Sequence, residues 1–258
     1  MKARIKKSDF IQSLEKGLNV ISVFNSNNQQ LTLTQVAKAV DLTRANARRV
    51  LLTLQHLQYV SSTDGKLFRL APKVLSLGYS YLSSIPFREF AIPYMEALAA
   101  KVNESCSMAV SDGGEIVYVA RVQTKRIMSI SLAVGSRLPM HATSMGAVLM
   151  ASMTTKEVEK AIANYRFEKH TAFTISNKTK YVQRINHVRK QGWALSDQEL
   201  EIGIRSIACP LKDKNGKTVA ALNISGHTSR VTAKEMITKY LPALRETILK
   251  IEEALHKL

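Results

Sequence analysis

The stretch "TQVAKAVDLTRANARRVLLTL" (34–54) contains two short segments of helical apolar periodicity, separated by three residues. In a helix-turn-helix the two helices approach closely, so a small residue such as Ala37 belongs midway along the first helix. The turn requires a left-handed backbone, and Asp41 tolerates that conformation better than most residues other than glycine. Thr43 is a suitable N-cap for the second helix. The stretch therefore predicts a helix-turn-helix.

The flanking residues extend this pattern into a small winged domain. They predict a helix capped by Ser13 that ends near Phe24, a helix over 35–40 capped by Thr34, and the second helix of the pair, which continues to Leu57. "YVSSTDGKLFRL" (59–70) consists of two short alternating runs around Asp64-Gly65, which is typical of a β-hairpin with a type I′ turn. Pro72 cannot lie in a central strand and is expected to open a further helix.

Basic side chains lie on the predicted outward face of the second helix. Residues 1 to 86 contain 12 Lys or Arg but only 4 Asp or Glu, in a chain whose formal net charge is +17. A second helix with a basic outward face, followed by a hairpin with further basic residues, indicates a DNA-binding surface rather than a face that is merely solvated. Phosphate contacts are expected from Thr43, Arg48 and Lys66, and base contacts from Arg44, Asn46 and Arg49. The predicted DNA-contacting set also includes Thr34, Gln35 and Arg69.

The remainder of the chain predicts an α+β domain with an antiparallel sheet. Hairpins are expected around Gly113-Gly114 and Asn215-Gly216, with a third strand over 127–134 between them. Helices gather at the ends, with capping boxes at Thr154/Glu157 and Thr232/Glu235. The predicted boundaries are 8–71 for the winged domain, 72–86 for a linker helix and 87–258 for the second domain.

Composition and motifs argue against several classes of protein. The 45 % apolar and 22 % charged residues are typical of a folded chain, no apolar run is long enough to span a membrane, and the N-terminus lacks a signal-peptide core. Cys106 and Cys209 lie in apolar runs and are expected to be buried and reduced, as in a cytoplasmic protein. No nucleophile elbow, zinc motif or dinucleotide fingerprint occurs. We therefore expect no enzyme, no cofactor and no metal site.

The order of these elements resembles the IclR family of bacterial transcription regulators, in particular its aromatic-catabolism subgroup of the PcaR/PcaU/PobR type. The resemblance extends from about Phe10 to Leu255. It rests on the segments "FIQSLEKGLNVISVF", "LTRANARRVLLTLQHLQYV", "VGSRLPMHATSMGAVLMAS" and "GIRSIACPLKDKNGKTVAALNISGHTSRVT". It implies a GAF-like effector-binding domain and a homodimer, or a dimer of dimers, that binds a palindromic operator.

Two loops of the second domain interrupt apolar runs with small polar residues. Thr143 or Ser144 begins a helix whose N-terminus suits a carboxylate, although an ordinary N-cap explains Thr143 equally well. Asn223 and Ser225 share a strand face, which is either solvent-facing or ligand-facing. The resemblance favours the ligand and implies an effector site of His141, Thr143, Ser144, Met145, Ser196, Ser206, Asn223 and Ser225. Arg137 is the expected partner of a carboxylate, with Arg205 as an alternative that would fit a structural ion pair equally well.

The sequence thus predicts an effector-responsive, DNA-binding transcription regulator for the catabolism of an aromatic or other small carboxylate. One alternative is a ligand-independent nucleic-acid-binding protein that relies on general basicity, which would show steep salt dependence without operator preference. A less favoured alternative is an enzyme with a GAF-like domain.

Overall fold

The computed structural model describes residues 5–25, 27–124 and 132–256, which form two compact units divided between Ser84 and Ile85. This division falls within the range 72–86 predicted as a linker helix, and the role of that range as a joint stays a prediction. The predicted third strand over 127–134 lies mostly outside the described residues.

The first unit is a three-helix core with a small three-stranded sheet and a fourth helix. Its elements are α1 (Gln12–Ser22), β1 (Leu31–Thr32), α2 (Leu33–Ala39), α3 (Arg44–His56), β2 (Val60–Ser61), β3 (Leu67–Leu70) and α4 (Val74–Ser83). The buried side chains of Val20, Val36, Leu51 and Phe68 belong to one apolar cluster, which holds the helices against the sheet. The helical periodicity of the sequence therefore reports the buried face of α2 and α3 correctly, whereas Leu14 and Leu18 on the apolar face of α1 are exposed.

Two predicted helix caps are wrong. α1 begins at Gln12 after Ile11, which makes no side-chain cap, so Ser13 lies inside the helix. α2 is capped by Thr32, whose hydroxyl accepts from the N–H of Gln35 while the Gln35 side chain accepts from Thr32. This reciprocal capping box gives a hydrogen-bond partner to the backbone N–H groups of Thr32 and Gln35. Thr34 therefore lies inside the first turn.

The hairpin at the edge of this unit is present, but its turn is not of type I′. Strand β3 pairs antiparallel with β2 on one side and with β1 on the other, a partner that the sequence pattern did not indicate. Gly65 has a positive φ of 68°, whereas Asp64 does not, and a type I′ turn requires both. The Asp64 carboxylate instead accepts from the N–H groups of Lys66 and Leu67, which closes a longer loop.

The second unit is built on a six-stranded sheet in which every pair is antiparallel, in the order β6-β5-β4-β9-β8-β7. The strands are β4 (Ser105–Asp112), β5 (Glu115–Val122), β6 (Arg137–Pro139), β7 (Ala194–Asp197), β8 (Ile204–Lys212) and β9 (Thr218–His227). The helices are α5 (Pro86–Val102), α6 (Ser144–Ala151), α7 (Thr155–Ile162), α8 (Lys178–Gln191), α9 (Ala233–Glu235) and α10 (Leu241–His256). The predicted α+β class with an antiparallel sheet is confirmed.

Helix boundaries in this unit follow their local sequence signals. The capping boxes at Thr154/Glu157 and Thr232/Glu235 are both present, and α8 ends at Gly192 in the left-handed conformation. The predicted C-terminal helix is interrupted by a π-helical turn at Met236–Tyr240. Pro242 follows this turn and has no N–H to donate, so the ordinary ladder of hydrogen bonds is broken at this point.

Helix α6 packs on one face of the sheet and determines where that face stays open. The sheet side chains beneath it include the buried residues Ala109, Ala208 and Ala221, which are small enough to admit a helix backbone. A Cβ at Gly146 would collide with the backbone of Met140, so glycine is required at this approach. The Ser144 hydroxyl lies 2.8 Å from that of Ser206 on β8, so the N-terminus of α6 lies close to the sheet face beyond the alanines.

Candidate functional site

The first candidate surface is the outward face of α3. Ala47, Leu51 and Leu54 are buried on its inner side, whereas Arg44, Arg48 and Arg49 are exposed on the other. The helix begins at Thr43, whose hydroxyl accepts from the N–H of Asn46 at 3.3 Å, as predicted. In the part of the chain that the structure describes, no ion pair or hydrogen bond engages the three guanidinium groups.

The turn before α3 sets the orientation of this helix face. Asp41 has a φ of 50°, in the left-handed region, so the predicted backbone conformation is confirmed. The N–H of Leu42 donates to the carbonyl of Ala37 at 2.9 Å, which closes the turn against the first helix. Ala37 itself is 4 % exposed, in keeping with close helix–helix approach. The basic face of α3 therefore follows a hydrogen-bonded turn packed against the first helix.

The remaining predicted DNA-contacting residues lie at the surface of the same unit. Thr34, Lys66 and Arg69 are exposed, and the Arg69 Nε donates to the Ser61 hydroxyl at 3.3 Å. The amide oxygen of Gln35 is occupied by the α2 capping box, so only its NH₂ group remains for a partner. These positions stay predictions of a DNA interface.

The second candidate site is an open pocket between the sheet and the start of α6, with a cavity volume of about 50 Å³. Its wall is mainly apolar, with a limited number of polar groups. It is lined by Tyr118, Arg121, Leu132, Leu138, Ala142, Thr143, Met145, Ser196, Leu200, Glu201, Ile204, Ser206, Asn223 and Ser225.

Two rows of polar side chains cross the sheet at this pocket. In the first row Arg121, Ser107 and Asn223 lie side by side on β5, β4 and β9. The second row, two residues along each strand, is formed by four serines on β4, β9, β8 and β7: Ser105, Ser225, Ser206 and Ser196. Residues that are direct partners across strands share a face, so both rows point to the same side. The predicted ligand-facing set of serines and Asn223 is therefore gathered at one place.

Arg121 is the pocket cation among the described residues, and the sequence prediction missed it. Its Nη1 donates to the Ser107 hydroxyl at 3.1 Å, and its Nε–H is buried without a hydrogen-bond partner. Burial lowers the pKa of the guanidinium, and the neighbouring Tyr118 counteracts that shift. At neutral pH the group still carries its charge, since an arginine pKa begins far above 7. An unpaired cationic donor in a pocket suits an anionic ligand.

A β-bulge explains why the strand pattern concealed Arg121. The register passes from Met108 opposite Ala120 to Ala109 opposite Tyr118, so Val119 is an extra residue in β5. Without this insertion, Tyr118 and Arg121 would lie on opposite faces, because side chains alternate along a strand. The bulge brings both to the pocket side. In the sequence, the one signal for this cation was a charged residue, Arg121, at the end of an apolar strand.

The two arginines predicted to meet a carboxylate do not line the pocket. Arg137 is occupied at the sheet edge by the carboxylates of Asp112 and Glu115, at 2.8 Å and 2.7 Å. These hydrogen-bonded ion pairs raise the pKa of Arg137, the one to Glu115 most strongly. Arg205 binds Asp197 at 2.7 Å and the carbonyl of Val231, which is the structural ion-pair role considered as its alternative. Neither arginine lines the pocket, so the structure gives no support to their assignment as effector contacts, which stays a prediction.

His141 is close to the pocket in sequence, but its ring is fully engaged elsewhere. Nε2 lies 2.8 Å from the carbonyl of Glu168 and Nδ1 lies 2.9 Å from the hydroxyl of Tyr165. Burial lowers the pKa of His141, which favours the neutral ring. His141 therefore ties the segment before α6 to the loop containing Tyr165 and Glu168. It does not line the pocket, so its assignment as an effector contact gains no support here and stays a prediction.

The start of α6 retains donors for a ligand. Thr143 caps the helix through the N–H of Gly146, while the Ser144 hydroxyl lies 2.8 Å from that of Ser206. No hydrogen bond in the described ranges engages the backbone N–H of Ser144 or Met145, as is usual for the first turn of a helix. Thr143 and Met145 line the pocket, which leaves this helix end available to an anion.

Other chemistry finds little support in the described ranges. No group of three or more His, Cys, Asp or Glu there could hold a metal ion, and no helix there is long and apolar enough to cross a membrane. Cys106 and Cys209 are free and buried, and burial raises the pKa of the thiols to about 12 and about 11. Both thiols are therefore protonated at neutral pH, unlike a reactive nucleophile.

Comparison with known proteins gives consistent matches over nearly the whole chain. A family described as "IclR helix-turn-helix domain" matches residues 13–64, and one described as "Bacterial transcriptional regulator IclR C-terminal" matches residues 79–253. The "Pca regulon regulatory protein" of Pseudomonas putida is 41% identical over 237 residues, which cover 92% of this chain and 81% of that protein.

Solved structures agree with this result. A transcriptional regulator from Rhodococcus sp. RHA1 is 45% identical, with a TM-score of 0.84 over 96% of this chain and 99% of that chain. The inducer-binding domain of a double mutant of the PobR transcription factor from Acinetobacter was solved with 3-hydroxybenzoic acid. It is 32% identical and covers 64% of this chain and 96% of its own, with a TM-score of 0.61.

Proposed function

The chain belongs to the IclR family of bacterial transcriptional regulators, and we propose that it controls the catabolism of a small aromatic carboxylate that binds in the Arg121 pocket. As a member of this family it is an effector-responsive, DNA-binding regulator and not an enzyme. The observation that carries the effector assignment is the unpaired guanidinium of Arg121 beside the polar rows of the sheet.

Two features of the pocket and one comparison support an aromatic carboxylate. Arg121 and the start of α6 both line the pocket, and in the described ranges both have N–H donors without a hydrogen-bond partner, which suit the charged end of the ligand. Met145 and Tyr118 supply apolar surface for a ring, and burial raises the pKa of Tyr118 to about 12, so its phenol stays neutral. The hydroxybenzoic acid found in the PobR domain belongs to this chemical class.

A matched pair of arginine variants tests the pocket. We expect benzoate or a hydroxybenzoate to raise the melting temperature of the wild-type chain and of Arg137→Gln, because Arg137 is held at the sheet edge. Arg121→Gln should lose this shift, since it removes the cationic partner of the carboxylate. Differential scanning fluorimetry of the three purified proteins, with circular dichroism as a check of folding, decides between them. A ligand shift that survives in Arg121→Gln would sink the assignment.

The α3 face is the proposed base-contacting surface, with Arg44, Asn46 and Arg49 directed at base edges and Arg48 at phosphate. Arg49→Ala should weaken binding to an operator selected from random DNA by about 1–3 kcal/mol and relax the preference at one position. Lys101→Ala is the control, because it removes one positive charge from the second unit, where Lys101 pairs with Glu246.

Fluorescence anisotropy over a salt series separates this proposal from general basic binding. Equal affinity for selected and scrambled DNA, with a steep salt dependence alone, would favour the ligand-independent nucleic-acid-binding alternative. Equal losses for Arg49→Ala on every sequence would place Arg49 on phosphate instead.

We further propose a homodimer, or a dimer of dimers, acting in the cytoplasm on a palindromic operator. One helix pair contacts a single half-site, and a two-fold dimer presents two such pairs to a palindrome. Exposed apolar side chains on the first unit support association. Ile11 just before α1, Leu14 and Leu18 on α1, and Leu75 and Tyr79 on α4 are each more than half exposed. Helix α4 is the proposed joint between the DNA-binding and effector-binding functions.

A further inference from the structure

The bulge in β5 places one residue outside the regular pairing of the sheet. Val119 has no partner on β4 and is 1 % exposed, so its backbone is shielded from bulk solvent. A buried carbonyl needs a donor, because an unpaired one destabilises the fold. The Nε–H of Arg88 donates to the Val119 carbonyl at 2.8 Å. A side chain from outside the sheet therefore stabilises the bulge.

Arg88 reaches the bulge from the first turn of α5. This helix begins at Pro86, and the N–H of Arg88 donates to the carbonyl of the buried Ile85 at 3.1 Å, which anchors the turn. In the ranges that the structure describes, no carboxylate pairs with the half-buried Arg88 guanidinium. Its contact with the bulge is therefore not a by-product of an ion pair.

The bulge determines where the neighbouring Arg121 lies. With the extra residue in place, Arg121 stands opposite Ser107 and donates to its hydroxyl at 3.1 Å. If the strand lost the bulge, the register beyond it would shift by one residue, and Arg121 would lie on the other face of the sheet. The stability of the bulge therefore sets the fraction of molecules in which the guanidinium is at the pocket.

We infer that Arg88 is a positioning residue of the effector pocket, which holds Arg121 in place through the carbonyl of Val119. The inference rests on the proposed function and concerns a residue that does not line the pocket itself. Arg88 lies four residues after Ser84, the last residue of the first unit. The part of the second unit that directly follows α4 in the chain therefore supports the effector site.

A purely structural role of Arg88 makes a different prediction. If its contact only fastened α5 to the sheet, its loss would loosen the pocket for charged and uncharged ligands alike. If it positions Arg121, the loss falls on the negative charge of the ligand, because the guanidinium is the group displaced. Benzoate and benzamide separate the two roles, since both carry the same ring and benzamide has no net charge.

The test compares the affinities of these two probes for the full-length chain by isothermal titration calorimetry. We expect the wild-type chain to prefer benzoate by about tenfold or more, since hydrogen bonds to charged groups are the stronger ones. Arg88→Met removes the donor and should reduce this preference to near one, whereas Arg88→Lys retains a donor and should restore most of it. Arg189→Met is the matched control, because the Arg189 Nε also donates to a carbonyl, that of Ala151, at 3.0 Å.

Two further measurements show whether Arg88 acts through Arg121 and the bulge. Arg88→Met in the Arg121→Gln background should lower the benzoate preference no further than Arg121→Gln alone, since the two residues share one effect. Hydrogen–deuterium exchange of the free protein should be faster over 115–122 in Arg88→Met than in the wild-type chain and in Arg189→Met.

Each outcome has a separate meaning. A wild-type chain that binds neither probe, or binds both equally, would overturn the proposed effector class, and exchange over 115–122 would still decide whether Arg88 holds the bulge. An unchanged benzoate preference in Arg88→Met would overturn the inference and leave the proposed function intact. Equal losses for benzoate and benzamide, or unchanged exchange over 115–122, would overturn it as well.

Discussion

Val119 is the extra residue of the bulge in β5, and its presence brings Tyr118 and Arg121 to the same side of the sheet. The same strand without a bulge would turn the guanidinium away from the pocket, because consecutive side chains alternate. A single inserted residue therefore determines which of the arginines near this sheet is available to an anion. Arg137, which is closer to the α6 loop in sequence, is occupied by two carboxylates instead.

His141 gives a pH-dependent stability. Glu168 offers only a carbonyl, so Nε2 carries the proton and Nδ1 accepts from Tyr165, which is the neutral ring. Burial lowers the pKa of His141 from its ordinary value of 6.5, and the nearby His170 and Arg184 act in the same direction. Below that value the His141 imidazole binds a proton in the unfolded chain but stays neutral in the folded chain, because its pKa is lower there. The free energy of unfolding should therefore fall as the pH decreases.

Urea unfolding at about pH 7.5 and about pH 5.5 measures this loss. His141→Gln should show a smaller loss between the two pH values than the wild-type chain. His187→Gln, at an exposed position on α8, should show the wild-type loss. If His141→Gln and the wild-type chain lose the same free energy, another group is responsible.

At the scale of elements, the helix ends are determined by single side chains. α2 begins after Thr32, and the reciprocal bonds between Thr32 and Gln35 tie it to strand β1, which ends at Thr32. α3 begins after Thr43, which is held by the left-handed turn at Asp41. The two helices of the pair predicted to contact DNA are thus both fixed at their N-termini, where their outward residues begin.

The position of the α2 cap gives a direct stability prediction. Thr32→Ala should lower the free energy of unfolding by about 1 kcal/mol, the usual loss when a Thr N-cap is replaced by Ala. Thr34→Ala should change it by less than about 0.5 kcal/mol, because Thr34 is an exposed residue of the first turn. Chemical unfolding of the two variants compares them directly, and a larger loss for Thr34→Ala would show that the cap is misplaced.

At the scale of the whole molecule, regulation requires that effector binding and operator binding share one coupling free energy. If the effector changes operator affinity by a given factor, the operator must change effector affinity by the same factor. The pocket lies in the second unit and the basic face of α3 in the first. The coupling must therefore pass between two units that have their own cores.

We expect the effector to change operator affinity roughly 5- to 150-fold, with the reciprocal change in effector affinity. Arg121→Gln should bind the selected operator as the wild-type chain does, but should show no response to the effector. Anisotropy with labelled operator and calorimetry with effector, each with and without the other ligand, provide the two factors. Effector binding without any change in operator affinity would contradict the proposed regulation.

The sequence by itself determined those features that depend on residues close together along the chain. The helix pair, the left-handed Asp41, the cap at Thr43 and the capping boxes at 154–157 and 232–235 all follow from local backbone preferences and from apolar periodicity. The same local signals gave an error where two possible N-cap residues lay close together. At the start of α2 the sequence predicted Thr34 as the cap, whereas Thr32 is the cap in the structure. Strand alternation correctly placed Asn223 and Ser225 on one face.

The tertiary structure decided which charged groups are free and which are engaged. Arg121, Arg137 and Arg205 are chemically identical, and their roles differ because of partners that are distant in sequence or a bulge that changes strand phase. The engagement of His141 by Tyr165 and Glu168 is likewise a product of packing. A guanidinium or an imidazole can bind a ligand only if the fold leaves its donors unsatisfied, and that is a property of the assembled sheet and helices.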